Sequence, residues 1–204
     1  MPFDLFEILR SFGPMATWLI FLIVFAESGL FLGFFLPGDS LLFFAGILAS
    51  QGFMNIFLLC IGCFIAAVLG DSVGYWFGHR YGRRFFTKDD SLFFNKKHLV
   101  TAEKFYEKYG KKTIILARFV PAVRTFAPIV AGIGNMEYKT FLSYNIVGGF
   151  VWAVGMTLAG YFLGSLIPAE EVDKYLLPII AGIVIISVLP AAWHVWQEKK
   201  NNHG

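Results

Sequence analysis

Apolar residues run in long stretches along this chain, and the short polar breaks between them say which stretches cross a membrane. The opening residues set Phe3, Phe6 and Leu9 or Arg10 on spaced turns, with Asp4 and Glu7 elsewhere, and Gly13-Pro14 closes the pattern. That spacing predicts a short interfacial amphipathic helix over 1–14. From Met15 to Leu36 the run is long enough to span the hydrocarbon, but Glu27-Ser28-Gly29 interrupts it. After Pro37-Gly38-Asp39-Ser40 comes an apolar run from Leu41 to Ala49, too short to cross and closed by Ser50-Gln51-Gly52; such a piece is expected to be re-entrant. Phe53 to Phe77 is a full span whose closing Tyr75, Trp76 and Phe77 suit a membrane interface.

The character changes over 79–112, where Arg80, Arg83, Arg84 and seven lysines face only Asp89, Asp90, Glu103 and Glu107. The positive-inside rule assigns this loop to the cytoplasm, and the spacing of Phe105 and Tyr109 predicts a surface helix over 98–109. The run from Thr113 to Gly134 contains Arg118, Pro121, Arg124 and Pro128. Proline makes a straight spanning helix costly there, so a second re-entrant hairpin is expected. Tyr138 to Leu166 is a span, 168–174 a short acidic loop and 176–196 a last span, followed by Lys199 and Lys200. With the amino terminus inside, both termini and the basic loop are cytoplasmic, and the two hairpins enter from opposite sides.

Composition agrees with lipid as the solvent. Of the 204 residues 57% are apolar and 15% charged, against roughly 25% charged in soluble domains, and the mean hydropathy is +0.65. Apolar runs recur along the chain and no small-residue cleavage site follows the first, which argues against a cleaved signal peptide. Cys60 and Cys63 form a C-x-x-C inside an apolar helix, where a thiolate is disfavoured and small packing residues are expected. His79, His98, His194 and His203 lack ligand spacing. No cofactor or metal is expected, nor is nucleic acid a partner.

The two halves, 15–78 and 113–166, echo one another. Ala45-Gly46-Ile47 precedes Gly74-Tyr75 and Gly78, while Ala131-Gly132-Ile133 precedes Gly160-Tyr161 and Gly164. The interval from Gly46 to Gly74 and from Gly132 to Gly160 is the same 28 positions. Upstream each half has a proline-led polar turn, Pro37-Gly38-Asp39 and Pro121-Ala122-Val123-Arg124. Inverted repeats with broken helices near the midplane are a recurrent plan of secondary transporters, although small residues also recur in any tightly packed membrane bundle. Gly70, Gly74, Gly78 and Gly82, with Gly160 and Gly164, are packing positions on either reading.

Glu27, Asp39, Arg118 and Arg124 lie in or beside membrane-depth segments, where each costs roughly 2.5–3.5 kcal/mol at a helix centre. The sum, on the order of 10 kcal/mol, rivals the stability of a whole domain, so these groups must be paired, hydrated or useful. A structural salt-bridge cluster is one explanation. The other is anion binding coupled to protonation: arginine presents a charged planar fork suited to phosphate oxygens, and a buried carboxylate can take up and release a proton. Asp71 is balanced between a pathway role and a place at the cytoplasmic interface. Asn145 and Trp152 either line the cavity or bond a neighbouring helix.

Glu27 with Pro37-Gly38-Asp39-Ser40, then Gly70-Asp71-x-x-Gly74-Tyr75-x-x-Gly78-x-x-x-Gly82, then Arg118-Phe119-Val120-Pro121-Ala122-Val123-Arg124-Thr125 with Ala131-Gly132, resemble the motifs of the DedA family over 15–196. The resemblance implies an all-α polytopic protein of the bacterial inner membrane, a single transmembrane domain with two opposed re-entrant hairpins. It implies translocation of an anionic lipid, undecaprenyl phosphate or a phospholipid, dependent on the proton-motive force. It makes Glu27 and Asp39 the essential membrane acids and Arg118 and Arg124 the essential arginines. The expected partners are the membrane, protons and the lipid, with a homodimer as a further possibility. A proton or cation antiporter, an intramembrane enzyme and a scaffold acting through the basic loop are the competing classes. No histidine, aspartate pair or metal-ligand set accompanies the arginines to favour the enzyme.

Overall fold

The computed structural model describes residues 5–29, 38–81 and 96–166, and these are helical throughout apart from short turns. Helix α1 spans Leu5–Gly29 and runs through Gly13-Pro14, where the sequence predicts a break between an interfacial helix and a span. Proline removes one backbone bond, but the remaining bonds of the 25-residue helix carry it past that point. Helix α2, Gly38–Ser50, starts with Asp39 in its first turn, where the helix dipole favours an acid. The turn that follows it contains Gly52 at φ 81°, a conformation open to glycine. Its 13 residues reach roughly 20 Å, well short of a ~30 Å hydrocarbon core.

Helix α3, Ile56–Tyr81, is capped at its start by Asn55, whose Oδ1 accepts from the Leu58 amide at 3.1 Å. Helix α4, Lys96–Tyr109, is polar and amphipathic and stops before Gly110 at φ 58°. The segment carrying both arginines is divided into α5 (Thr113–Leu116), a 3₁₀ turn at Ala117–Phe119, α6 (Pro121–Arg124) and α7 (Ala127–Ile133). The divisions follow the prolines. Val120 is extended, φ −123° and ψ 103°, as a residue before proline prefers, and Pro121 and Pro128 each open a short helix, where a missing N–H costs nothing. Helix α8 (Tyr138–Gly149), a π-turn at Phe150–Val154 and α9 (Gly155–Ser165) form one continuous rod.

Two described helices, Ile56–Tyr81 and Tyr138–Ser165, are long and apolar enough to cross a membrane. Large apolar side chains point outward from three of the long helices, among them Trp18, Phe57 and Phe162, each more than half exposed; that is what a lipid-facing surface requires. The predicted loop 168–174 and span 176–196 lie outside the described residues, as do Pro37 and Gly82.

Glycine seams set the packing. α2 lies along α9, while α1 and α7 both lie along α3. A Cβ at Gly46 would collide with the Thr157 carbonyl, one at Gly160 with the Phe43 carbonyl, and one at Gly164 would sit 2.9 Å from Ile47 Cα. Across the molecule a Cβ at Gly78 would strike the Ile129 carbonyl, and one at Gly132 the Tyr75 carbonyl. Gly70 meets Gly29 of α1 in the same manner. Gly74 is the exception, with ordinary contact distances of 3.5 Å or more. The ends are pinned by hydrogen bonds: Gln51 Nε2 donates to the Gly164 carbonyl at 2.8 Å, and Tyr75 Oη donates to the Met136 carbonyl. Cys63 packs with Leu59, Ala66, Ala67, Val24 and Leu42 in the largest apolar cluster. On α4, Tyr106 Oη donates to the Ala127 carbonyl at 2.9 Å; burial, aided by the charge of Asp71, raises its pKa above the ordinary tyrosine range and keeps that donor intact.

Candidate functional site

Arg118 sits on the 3₁₀ turn with 5% of its surface exposed. Its Nη2 meets Asp71 Oδ2 of α3 at 2.5 Å and Asn145 Oδ1 of α8 at 2.5 Å, and Asn145 Nδ2 in turn donates to the Val68 carbonyl at 3.1 Å. Room for the guanidinium comes from Gly148 and Gly149: a Cβ on the first would lie 3.2 Å from Arg118 Cδ, and one on the second 3.5 Å from its Nη2. Among the described residues neither Arg118 Nε nor Thr125 Oγ1 has a hydrogen-bond partner, although both are buried.

Arg124, at the end of α6, is held by two acids from different helices. Glu27 of α1 lies against its Nη2 as an ion pair, and Asp39 Oδ1 of α2 accepts from Nη1 at 2.9 Å. Among the described residues no further donor reaches Glu27. The close approach of Glu27 depends on Gly38, where any Cβ would overlap the carboxylate; glycine is needed there for space, and its φ lies outside the left-handed range. The two acids differ in exposure, the Glu27 side chain at 2% and that of Asp39 at 45%. Trp152, on the π-turn, completes the group: its Nε1 donates to Asp39 Oδ1 at 2.5 Å, and its ring lies 5.7 Å from Arg118 Cζ and 5.4 Å from Arg124 Cζ. Glu27, Ser28, Asp71, Arg118, Arg124, Thr125 and Trp152 line a common, narrow cleft of about 10 Å³, room for about one water.

The four charged residues singled out by their insertion cost therefore meet at one place, and Asp71 and Asn145 join them. Asn145 bonds the neighbouring α3 and touches Arg118, whereas Trp152 is the one of the pair that lines the cleft. Pro121 sets the start of α6, which carries Arg124. Gly74, Gly78, Gly160 and Gly164 belong to the seams. Thr125, Ser28, Gly148 and Gly149 escape a reading of charge alone; the one signal for the last two is a Gly-Gly pair one turn before a tryptophan in an otherwise bulky span.

Chemically, the cleft offers two guanidinium forks, each already occupied by carboxylate, in surroundings of low dielectric. That arrangement can exchange one anion for another. Fold and site together define a helical membrane protein with a charged cleft buried among its helices.

Comparison with known proteins carries this to a family. A VTT domain matches residues 36–162. The chain is 43% identical over 196 residues to Protein DedA of Escherichia coli K12, covering 95% of this chain and 88% of that protein. It is 45% identical over 180 residues to an uncharacterised membrane protein of Mycobacterium leprae, covering 87% and 79%, and 46% identical over 197 residues to one of Mycobacterium tuberculosis H37Rv, covering 93% and 84%. No solved structure matches the chain. The chain belongs to the DedA family of VTT-domain membrane proteins.

Proposed function

We propose that the protein is a transporter, without catalysis, that moves a phosphate-bearing lipid across the bacterial inner membrane with proton coupling, undecaprenyl phosphate being the first candidate. The observation that carries the reading is the pairing of both arginines with carboxylates around one cleft. With every group ionised the set holds three negative charges, Glu27, Asp39 and Asp71, against two positive ones. A phosphate cannot simply be added to such a set. It must displace a carboxylate from an arginine, and a displaced carboxylate in low dielectric is offset by a proton. Glu27 and Asp39 fill that role in this reading, Arg124 takes the phosphate, Arg118 extends the site, and the hydrocarbon chain stays in lipid.

Alternating access is supplied in this reading by two opposed re-entrant hairpins forming an inverted repeat, with both termini and the 79–112 loop cytoplasmic. Its support is that α2 is too short to cross, that α5 to α7 are broken into pieces of one or two turns, and that α2 and α7 are each seated on the crossing helix of the other half.

The test is translocation in proteoliposomes, comparing undecaprenyl phosphate with phosphatidylethanolamine, with and without an imposed proton gradient, for wild type and Arg124→Ala. The expected result is gradient-stimulated movement of the polyprenyl phosphate that Arg124→Ala abolishes and Arg124→Lys restores only in part, since lysine lacks the fork. Movement of phosphatidylethanolamine instead would change the substrate. Gradient-driven ion flux untouched by the substitution, with neither lipid moving, would make the protein an antiporter.

A further inference from the structure

Trp152 occupies a position that charge pairing alone does not explain. It is 3% exposed, and it brings two different kinds of contact to the same group of residues. Through its edge, the indole N–H donates to Asp39 Oδ1, the oxygen that also accepts from Arg124 Nη1. Through its ring, it lies within cation–π reach of both guanidiniums. Asp39 thus has one mobile donor, the arginine that would turn toward a phosphate, and one fixed donor, an indole clamped in the largest apolar cluster. When Arg124 turns away, the indole still satisfies the carboxylate. Without the indole, among the donors shown to Asp39 only Arg124 is left, so the carboxylate competes with phosphate for it.

We propose that Trp152 is a positioning residue for anion binding, keeping Asp39 hydrogen-bonded through its N–H when Arg124 turns to phosphate and the two guanidiniums in place through its ring; the proposal rests on the phosphate-binding reading above. The two contacts separate by substitution. Trp152→Phe keeps a ring face and loses the N–H, whereas Trp152→Leu loses both.

The experiment measures the Kd of dodecyl phosphate for the full chain in detergent micelles, with dodecanol as the uncharged control. Trp152→Phe is expected to weaken binding on the order of tenfold, the scale of one hydrogen bond to a charged group. In an Asp39→Asn background, where only Glu27 still pairs with Arg124 and the carboxylate that the indole satisfies is gone, the same substitution should change Kd by less than roughly twofold. Trp152→Leu should weaken binding in both backgrounds. A Trp152→Phe chain that binds like wild type, or one that loses the same factor with Asp39→Asn, overturns the role given to Trp152 while leaving the arginine site standing. No binding by wild type, or equal binding by wild type and Arg124→Ala, removes the phosphate reading and this inference with it. Should Trp152→Phe fail to fold, the emission of Trp152 is followed in a chain whose other four tryptophans, Trp18, Trp76, Trp193 and Trp196, are phenylalanine. Dodecyl phosphate should alter that emission more with Asp39 present than with Asp39→Asn, since only the ring contact responds in the second; an identical response in the two backgrounds overturns the proposal.

Discussion

Arg118 and Arg124 carry the same charge but stand in different surroundings, and substitutions should separate them. Arg118 and Asp71 are both nearly inaccessible, so Asp71→Asn strands a buried guanidinium and is expected to cost about 3–5 kcal/mol, seen as a large fall in Tm in detergent. Asp39 is the half-exposed member of its cluster, and Asp39→Asn should cost below about 1 kcal/mol of stability while still altering transport in proteoliposomes. Gly38→Ala tests the space reserved for Glu27. The added methyl forces the carboxylate off Arg124, so transport should fall as far as in Glu27→Gln, with both variants still folded by circular dichroism. Equal transport by Gly38→Ala and wild type would show that the Glu27–Arg124 contact is dispensable.

At the scale of elements, glycines of similar appearance differ in what faces them. Gly78→Ala drives a methyl into the Ile129 carbonyl and should destabilise by about 1–3 kcal/mol. Gly74→Ala meets only ordinary contacts and should lie within about 0.5 kcal/mol of wild type; thermal unfolding of the two decides. The four-residue glycine spacing announces such a seam in the sequence without saying which member is pressed hardest, because that depends on the partner backbone. Prolines were likewise readable as interruptions, and Pro121 and Pro128 do start new helices. At Pro14 the helix runs on without a break, since one lost backbone bond is less than the bonds on either side of it hold. At the site, insertion cost alone picked out Glu27, Asp39, Arg118 and Arg124. Asp71 stayed ambiguous, since distance along a helix does not reveal that Arg118 comes back to meet it across Gly148 and Gly149.

On the scale of the whole molecule, α1, α3 and α7 share one set of seams and α2 and α9 another, and Arg124 binds an acid from each set, Glu27 from the first and Asp39 from the second. It ties the two seams together at the edge of an apolar cluster that α1, α2, α3 and the π-turn share. Backbone amides of 113–126, divided among single turns, should therefore exchange hydrogen faster than those of α3 and α9, and dodecyl phosphate should slow them. Exchange rates unchanged by the ligand would detach the broken segment from binding.

The π-turn at Phe150–Val154 bears on how this rod tolerates changes in length. Phe141, Thr157 and Gly164 are all buried. An uninterrupted α-helix, turning about 100° per residue, would carry Gly164 roughly 140° around the axis from Phe141, and absorbing one residue in the wider turn reduces that to roughly 40°. The rod thus holds, in phase terms, one inserted residue whose rotation has been taken up locally. A chain lacking Val151 can close the turn as ordinary α-helix with α9 still seated on α2, whereas one lacking Leu158 swings Gly160 and Gly164 out of their seam. The first deletion should be survivable and the second ruinous, an asymmetry that an alignment of chain lengths through this span would carry as a gap confined to the π-turn.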